Sequence, residues 1–294
     1  MISYLQAIIF GLMQGVTELF PISSLGHSVL LPSVAGWTTL AKAQSQKSDN
    51  FLTFLVALHV ATALGLFWYF RKDWARILRG FVRSIVRKRI ATSSERLAWL
   101  LIVATIPAGI VGLAGESLLR HLFAKPLPSA IFLTLNGVVL LFGEKFRKKS
   151  ENGGSYLEMP RPGHRIRSSH QPLLFRHAIG IGVAQIMALF AGFSRSGVTM
   201  VAGLMEGLDH EDAAHFSFLM ATPIILAAGV LKLPHLASHS MAPYRGQILV
   251  GALAAVVATL LSVRFLVRWF KTRTLTPFAI YCLVAGVALT VRFT

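Results

Sequence analysis

Phe51 to Phe70 is a 20-residue run broken only by Thr53, His59 and Thr62. At the helical rise this is long enough to cross the hydrocarbon layer of a membrane. Comparable runs recur at 97–119, 127–143, 213–233, 247–266 and 277–293. The chain is 54% hydrophobic and 14% charged, with a mean hydropathy of +0.62, too apolar for a soluble domain of this length. The fold class expected is an all-α polytopic membrane protein with about six full spans. The single cysteine, Cys282, lies in an apolar run, which excludes a disulfide framework and a cysteine-type metal site.

The 29 basic residues against 12 acidic ones raise the question of nucleic acid. That partner is not expected, because the basic residues sit between apolar spans rather than on a folded basic face. The positive-inside rule explains them better: loops 71–96, 144–172 and 264–274 are expected to be cytoplasmic. Within the first, Arg71 to Arg96 reads as an amphipathic helix lying on anionic membrane lipids. The N-terminal run lacks a basic region and a small-residue cleavage site, so it is expected to be part of the mature fold.

These loops fall on one side only if segments 1–36 and 173–208 each enter and leave the membrane on the same face as re-entrant helical hairpins. The expected architecture is therefore an inverted-topology repeat. Residues 1–143 form one half, 144–172 a cytoplasmic linker of Asn-Gly-Gly and Pro-Arg-Pro-Gly composition, and 173–294 the other half. A constant offset of 171 pairs Gln14 with Gln185, Ser23 with Ser194 and Gly26 with Gly197.

Both hairpin segments carry polar groups where lipid would surround them. An ionised side chain at the bilayer centre costs roughly 3 kcal/mol even on lenient insertion scales, so Glu18, His27 and Arg195 call for a reason. Arg195, with Ser194, Ser196, Gly197 and Thr199, offers a planar fork of donors, hydroxyls and open backbone N–H groups, which suits a phosphate oxyanion. A helix opening near Gly197 would add its dipole. The competing reading is an arginine paired with an acid such as Glu206 for its own sake. Ser23 and Ser24 lie beside His27, the residue type that most often serves a hydroxyl as base. Glu18 is a candidate to hold a cation, to orient His27 or to pair with Arg195.

Glu18-Leu-Phe-Pro-Ile-Ser-Ser-Leu-Gly-His27 and Gly192-Phe-Ser-Arg-Ser-Gly-Val-Thr199, followed by Phe216-Ser-Phe-Leu-Met-Ala-Thr-Pro223, resemble the BacA/UppP family of undecaprenyl-pyrophosphate phosphatases over nearly the whole chain. The resemblance implies removal of the terminal phosphate from a polyprenyl pyrophosphate, which recycles the lipid carrier for cell-wall synthesis. It places the protein in the bacterial inner (plasma) membrane, with the site open to the outer face, and it admits a homodimer.

By the same resemblance Glu18, Ser24, His27 and Arg195 are catalytic residues, and Ser23, Ser194, Arg195, Ser196, Gly197 and Thr199 bind phosphate. A divalent cation, Mg2+ or Ca2+, would be held by Glu18 and Gln14. The chain departs from the family pattern at Gln14, where a glutamate is usual, at Leu25 (Thr), Ala191 (Pro) and His59 (Gln). The rival expectation, prompted by the inverted repeat and by Gln14, is a flippase or transporter of a lipid phosphate.

Overall fold

The structure is a computed structural model, described for residues 2–45, 49–115, 125–147 and 173–294. The ends of two expectations lie outside those residues: 116–119 of the span 97–119, and 148–172 of the linker. Among the described residues the chain is all-helical. In order, the helices are α1 (Tyr4–Thr17), α2 (Ser24–Val34), α3 (Thr38–Ser45), α4 (Asp49–Tyr69), α5 (Arg71–Arg87), α6 (Ser93–Ala114) and α7 (Pro126–Phe146). After the linker come α8 (Phe175–Ala184), the 3-10 turn Gln185–Leu189, α9 (Arg195–Met205), α10 (His210–Ala237), the 3-10 turn His239–Tyr244, α11 (Arg245–Trp269) and α12 (Thr276–Phe293).

Local chemistry sets the helix starts. Ser3 accepts from the Gln6 N–H at 3.2 Å while the Gln6 side chain accepts from the Ser3 N–H at 2.9 Å, a reciprocal cap that opens α1. Thr92 and Glu95 repeat that exchange at α6, and Asp209 caps α10 through the Asp212 N–H at 2.7 Å. Among the described residues six helices are long and apolar enough to cross a membrane: α4, α6, α7, α10, α11 and α12. Large apolar side chains such as Leu64, Ile110, Val138, Leu253 and Val284 point outward from them, as helices facing lipid require.

α1 and α8 are shorter. The 14 residues of α1 reach about 21 Å at 1.5 Å per residue, short of the roughly 30 Å hydrocarbon layer. Each short helix is followed by a turn and a second short helix, α2 or α9. α5 buries Trp74, Ile77, Gly80 and Ser84 on one face and exposes Arg71, Lys72, Arg79, Arg83 and Arg87, the amphipathic pattern expected of the first basic loop.

The packing is reciprocal between the halves. α1 lies along α11, and α8 lies along α6; α4 packs on α10, and α7 on α12. Small residues make the first of these contacts close, since a Cβ at Gly15 would lie 2.4 Å from the Ala255 carbonyl oxygen. The main apolar core, including Leu66, Leu100, Leu133, Phe216 and Phe218, runs through both halves.

Candidate active site

The two hairpin turns meet inside the bundle and begin their second helices in the same way. Ser23 caps α2 by accepting from the Gly26 N–H at 3.1 Å, and Ser194 caps α9 by accepting from the Gly197 N–H at 3.2 Å. Two of the three pairs at the 171 offset, Ser23 with Ser194 and Gly26 with Gly197, thus make matched helix caps. The first helical residues, Ser24 and Arg195, converge on one carboxylate. Arg195 donates to Glu18 Oε1 through Nη2 at 2.9 Å and Nε at 3.3 Å, and Ser24 Oγ donates to Glu18 Oε2 at 2.6 Å. Gln14 Nε2 donates to the same Oε2 at 3.1 Å. Arg195 is therefore paired across the two halves with Glu18, not with Glu206, which lies 3.7 Å from His177.

Glu18, Ser24, Ser194 and Arg195 form the polar floor of a cavity of about 370 Å3 whose walls are mostly apolar, among them Leu55, Val56, Leu189, Phe193 and Ile225. Two helix N-termini, each carrying partial positive charge, head this floor. A guanidinium, a hydroxyl and two such N-termini at the base of an apolar chamber can hold an anion attached to an apolar stem.

The turns are locked to each other. Ser23 has φ of 72°, a left-handed conformation unusual for serine, and its Oγ also accepts from the Gly192 N–H at 3.1 Å. Gly192, at φ of 117°, is where the turns touch: a Cβ on Gly26 would lie 2.9 Å from its Cα, and a Cβ on Gly192 itself would lie 2.4 Å from the Ser129 carbonyl oxygen of α7. Asn136, fully buried in α7, joins both turns by donating to the Pro21 carbonyl at 3.0 Å and accepting from the Ser194 N–H at 2.9 Å.

Several expected site residues lie elsewhere. Ser23 serves the turns and does not line the cavity. Ser196 Oγ bonds Ser194 Oγ at 3.0 Å, Gly197 gives its N–H to the Ser194 cap, and Thr199 Oγ1 bonds the Arg195 carbonyl and Ser217 Oγ, both at 2.8 Å. These residues brace the first turn of α9 and leave the cavity-lining positions to Ser194 and Arg195. His27 is turned away: its Nδ1 bonds the Ser23 carbonyl and its Nε2 the Tyr281 hydroxyl, each at 2.7 Å, and its ring stacks on that of Tyr281. One turn into α2, it faces α12 instead of the floor.

The imidazole that does reach the floor is His59 of α4. Its Nε2 lies 3.4 Å from Glu18 Oε2 and 3.5 Å from Ser24 Oγ. From the sequence, His59 is named only as a departure from the family pattern, and neither it nor Asn136 is given a role at the site. The available signal was that each interrupts an apolar span, where a polar residue is seldom idle.

The residues do not build a cation site by themselves. Among the described residues no three His, Cys, Asp or Glu side chains cluster. Among the described residues Glu18 is the only carboxylate lining the cavity, and both its oxygens already accept from Arg195, Ser24 and Gln14. Gln14 Oε1 is buried with no hydrogen-bond partner among the described residues, but one neutral oxygen beside a guanidinium is a poor ligand set for Mg2+ or Ca2+.

An integral membrane protein with an arginine-centred anion floor under an apolar chamber is the class that fold and site define. The chain belongs to the bacitracin resistance protein BacA family, whose sequence model matches residues 7–288. It is 50% identical to undecaprenyl-diphosphatase 2 of Frankia alni over 99% of this chain and 98% of that one. It is 51% identical to the undecaprenyl-diphosphatase of Mycolicibacterium paratuberculosis, over 97% and 95% of the two chains. With undecaprenyl-diphosphatase 2 of Chromobacterium violaceum the identity is 42%, over 96% of each chain.

Proposed function

We propose that this protein hydrolyses undecaprenyl pyrophosphate, or a close polyprenyl pyrophosphate, to the monophosphate and inorganic phosphate. Membership of the BacA family and the names of its relatives carry the activity. The observation that ties it to residues is the convergence of Arg195, Ser24 and Glu18 at the base of an apolar chamber. Arg195 holds the terminal phosphate, with Ser194 beside it, and balances the charge that spreads over its oxygens as the anhydride breaks. The Ser24 hydroxyl, or a water it positions, supplies the attacking oxygen. Glu18 fixes Arg195 and Ser24 before substrate arrives, which spares the site reorganisation during reaction. A cation requirement would belong to the pyrophosphate, whose own charges bind one.

The finer reading of placement is ours as well. Residues 1–143 and 173–294 form an inverted repeat in the bacterial inner membrane, with the basic loops inside. Reciprocal packing and matched Ser23 and Ser194 caps favour the repeat. The cavity residues Leu52 to His59 lie in the first half of α4, Ala108 and Gly112 in the second half of α6, and Ile224 to Ala228 in the second half of α10. In each helix that is the half away from the basic loops, which favours an outward opening. A homodimer is compatible with this arrangement. The transport alternative gains nothing from the relatives, whose names describe hydrolysis.

The test is phosphate release by purified protein from a polyprenyl pyrophosphate across a series of divalent cations. Release by wild type and its loss in Arg195→Ala are expected; a variant that still released phosphate at the normal rate would rule out this site.

A further inference from the structure

A buried polar atom without a hydrogen-bond partner costs free energy, so a side chain that keeps one needs a reason. Among the described residues, Gln185 is the one that lines the cavity and also carries such atoms. It is 1% exposed, and neither its Nε2 nor its Oε1 has a partner among those residues. Its backbone N–H closes α8 on the Ile181 carbonyl, so the main chain is fixed while no bond holds the amide.

The matched position in the first hairpin shows what the amide lacks. Gln14, paired with Gln185 at the 171 offset, stands four residues before Glu18 and gives its Nε2 to that carboxylate at 3.1 Å. The same offset puts Leu189 in the place of Glu18, and Leu189 belongs to the apolar wall. One amide of the pair thus has a partner in its own hairpin. The other keeps two donors and its acceptor oxygen unused beside an anion floor. The polar groups of that floor are engaged elsewhere: Arg195 with Glu18 and the Ser217 carbonyl, Ser24 with Glu18, and Ser194 with Gly197 and Ser196.

We propose that Gln185 is a substrate-binding residue of this site, donating from Nε2 to the phosphate that stays on the lipid while Arg195 holds the terminal one. The proposal rests on the phosphatase reading above, which supplies the pyrophosphate. A pyrophosphate seated on Arg195 still has its second phosphate and its apolar stem to place. The 3-10 turn Gln185–Leu189 offers a donor for the one and the apolar Ala188 and Leu189 for the other, all three at the cavity wall. An amide donor adds no charge, so it bonds the inner phosphate without competing with Arg195 for the terminal one. Orthophosphate has no second phosphate to offer it.

The experiment uses purified wild type, Gln185→Met, Gln185→Glu and Arg195→Ala in detergent. It measures the melting temperature alone, with inorganic pyrophosphate and with orthophosphate, and kcat and KM for phosphate release from a polyprenyl pyrophosphate. Methionine keeps the length of the side chain and removes both polar atoms. Gln185→Met is therefore expected to melt no lower than wild type without ligand, since an unpartnered buried amide gives way to an apolar group. It should raise KM by about ten- to a hundredfold, the range for one hydrogen bond to a charged group, with a smaller change in kcat. It should also lose most of the extra stabilisation that pyrophosphate gives wild type over orthophosphate. Gln185→Glu, of the same shape but without a donor, should weaken pyrophosphate at least as much.

A Gln185→Met protein with the KM and the pyrophosphate shift of wild type would overturn the proposal. So would a ligand-free melting temperature well below wild type, or a failure to fold, either of which marks an amide that serves the fold. Equal stabilisation of wild type by the two anions would overturn it as well. If wild type releases no phosphate, or Arg195→Ala releases it at the normal rate, the phosphatase reading of the site falls. The pyrophosphate shifts of wild type and Gln185→Met then still decide whether Gln185 binds that anion.

Discussion

The two hairpins make one backbone device twice and use it for different chemistry. Each ends a short helix in a turn, caps the next helix with a serine, and presents the first helical residue to the floor. In the first hairpin that residue is Ser24, short and able to be deprotonated; in the second it is Arg195, long and permanently charged. The caps also differ. Ser194 serves its own helix and a neighbouring hydroxyl, whereas Ser23 also accepts from Gly192 in the other hairpin and adopts a left-handed backbone to do so. Duplicated backbone therefore fixes where a site forms, and single residues at matched positions decide what it does.

The variants with the largest expected effect break the asymmetry at the floor. Arg195→Ala should lower kcat/KM by about a thousand-fold or more, the range for removing an arginine from a phosphoryl site. Ser24→Ala should lower kcat by about a hundred- to a thousand-fold while leaving the melting temperature in detergent unchanged. A Ser24→Ala protein with normal kcat would show that neither its hydroxyl nor a water on it attacks.

Next come the changes that loosen the turns. Gly192→Ala sets a Cβ against the Ser129 carbonyl of α7 at a left-handed φ, beside the turn of the first hairpin, and should cost about 3 kcal/mol or more of stability. Thermal unfolding followed by size-exclusion chromatography would read this as loss of the monodisperse protein. Ser23→Ala leaves two buried N–H groups without their acceptor and should cost about 2 kcal/mol or more. Ser194→Ala, losing a single cap, should cost about 1 kcal/mol. Equal losses in the two serine variants would contradict the bridging role given to Ser23.

The smallest expected effect lies where the halves differ most, at α5. Burial alone would raise the Asp73 carboxyl, but bonds from His215 and Arg76 outweigh it and hold Asp73 below the usual carboxylate range. A carboxyl lowered by folding adds stability above its unfolded pKa and loses it as pH falls through the folded one. Wild type should therefore melt slightly above Asp73→Asn at neutral pH, and the gap should close as the medium turns acid. A gap constant with pH would place the effect in packing rather than charge.

The spans, the basic loops and the two polar motifs could all be read from the sequence, because a membrane leaves few ways to bury a backbone and makes stray charge conspicuous. The pairing of Glu18 with Arg195 was one of the alternatives that cost left open, beside Glu206, and the structure selects it. Two things did not follow. The facing direction of His27 depends on how α2 is rotated against α12, and no apolar periodicity in so short a helix records that rotation. His59 and Asn136 are single polar residues in apolar runs, and nothing local separates one that reaches the floor from one that ties two turns together. His59 stood out only as a departure from the family pattern, at a position whose neighbours had to be seen in space.

Asn136 also bears on the order in which the protein can be completed. Its donor finds the Pro21 carbonyl, on chain made long before it, whereas its acceptor waits for the N–H of Ser194, 58 residues further on. Until then α7 carries an amide oxygen without its partner inside an apolar helix, a state that disfavours close packing. A ribosome making this chain thus reaches a first half that is threaded but not sealed, and the arrival of the second hairpin closes the bundle and the anion floor together.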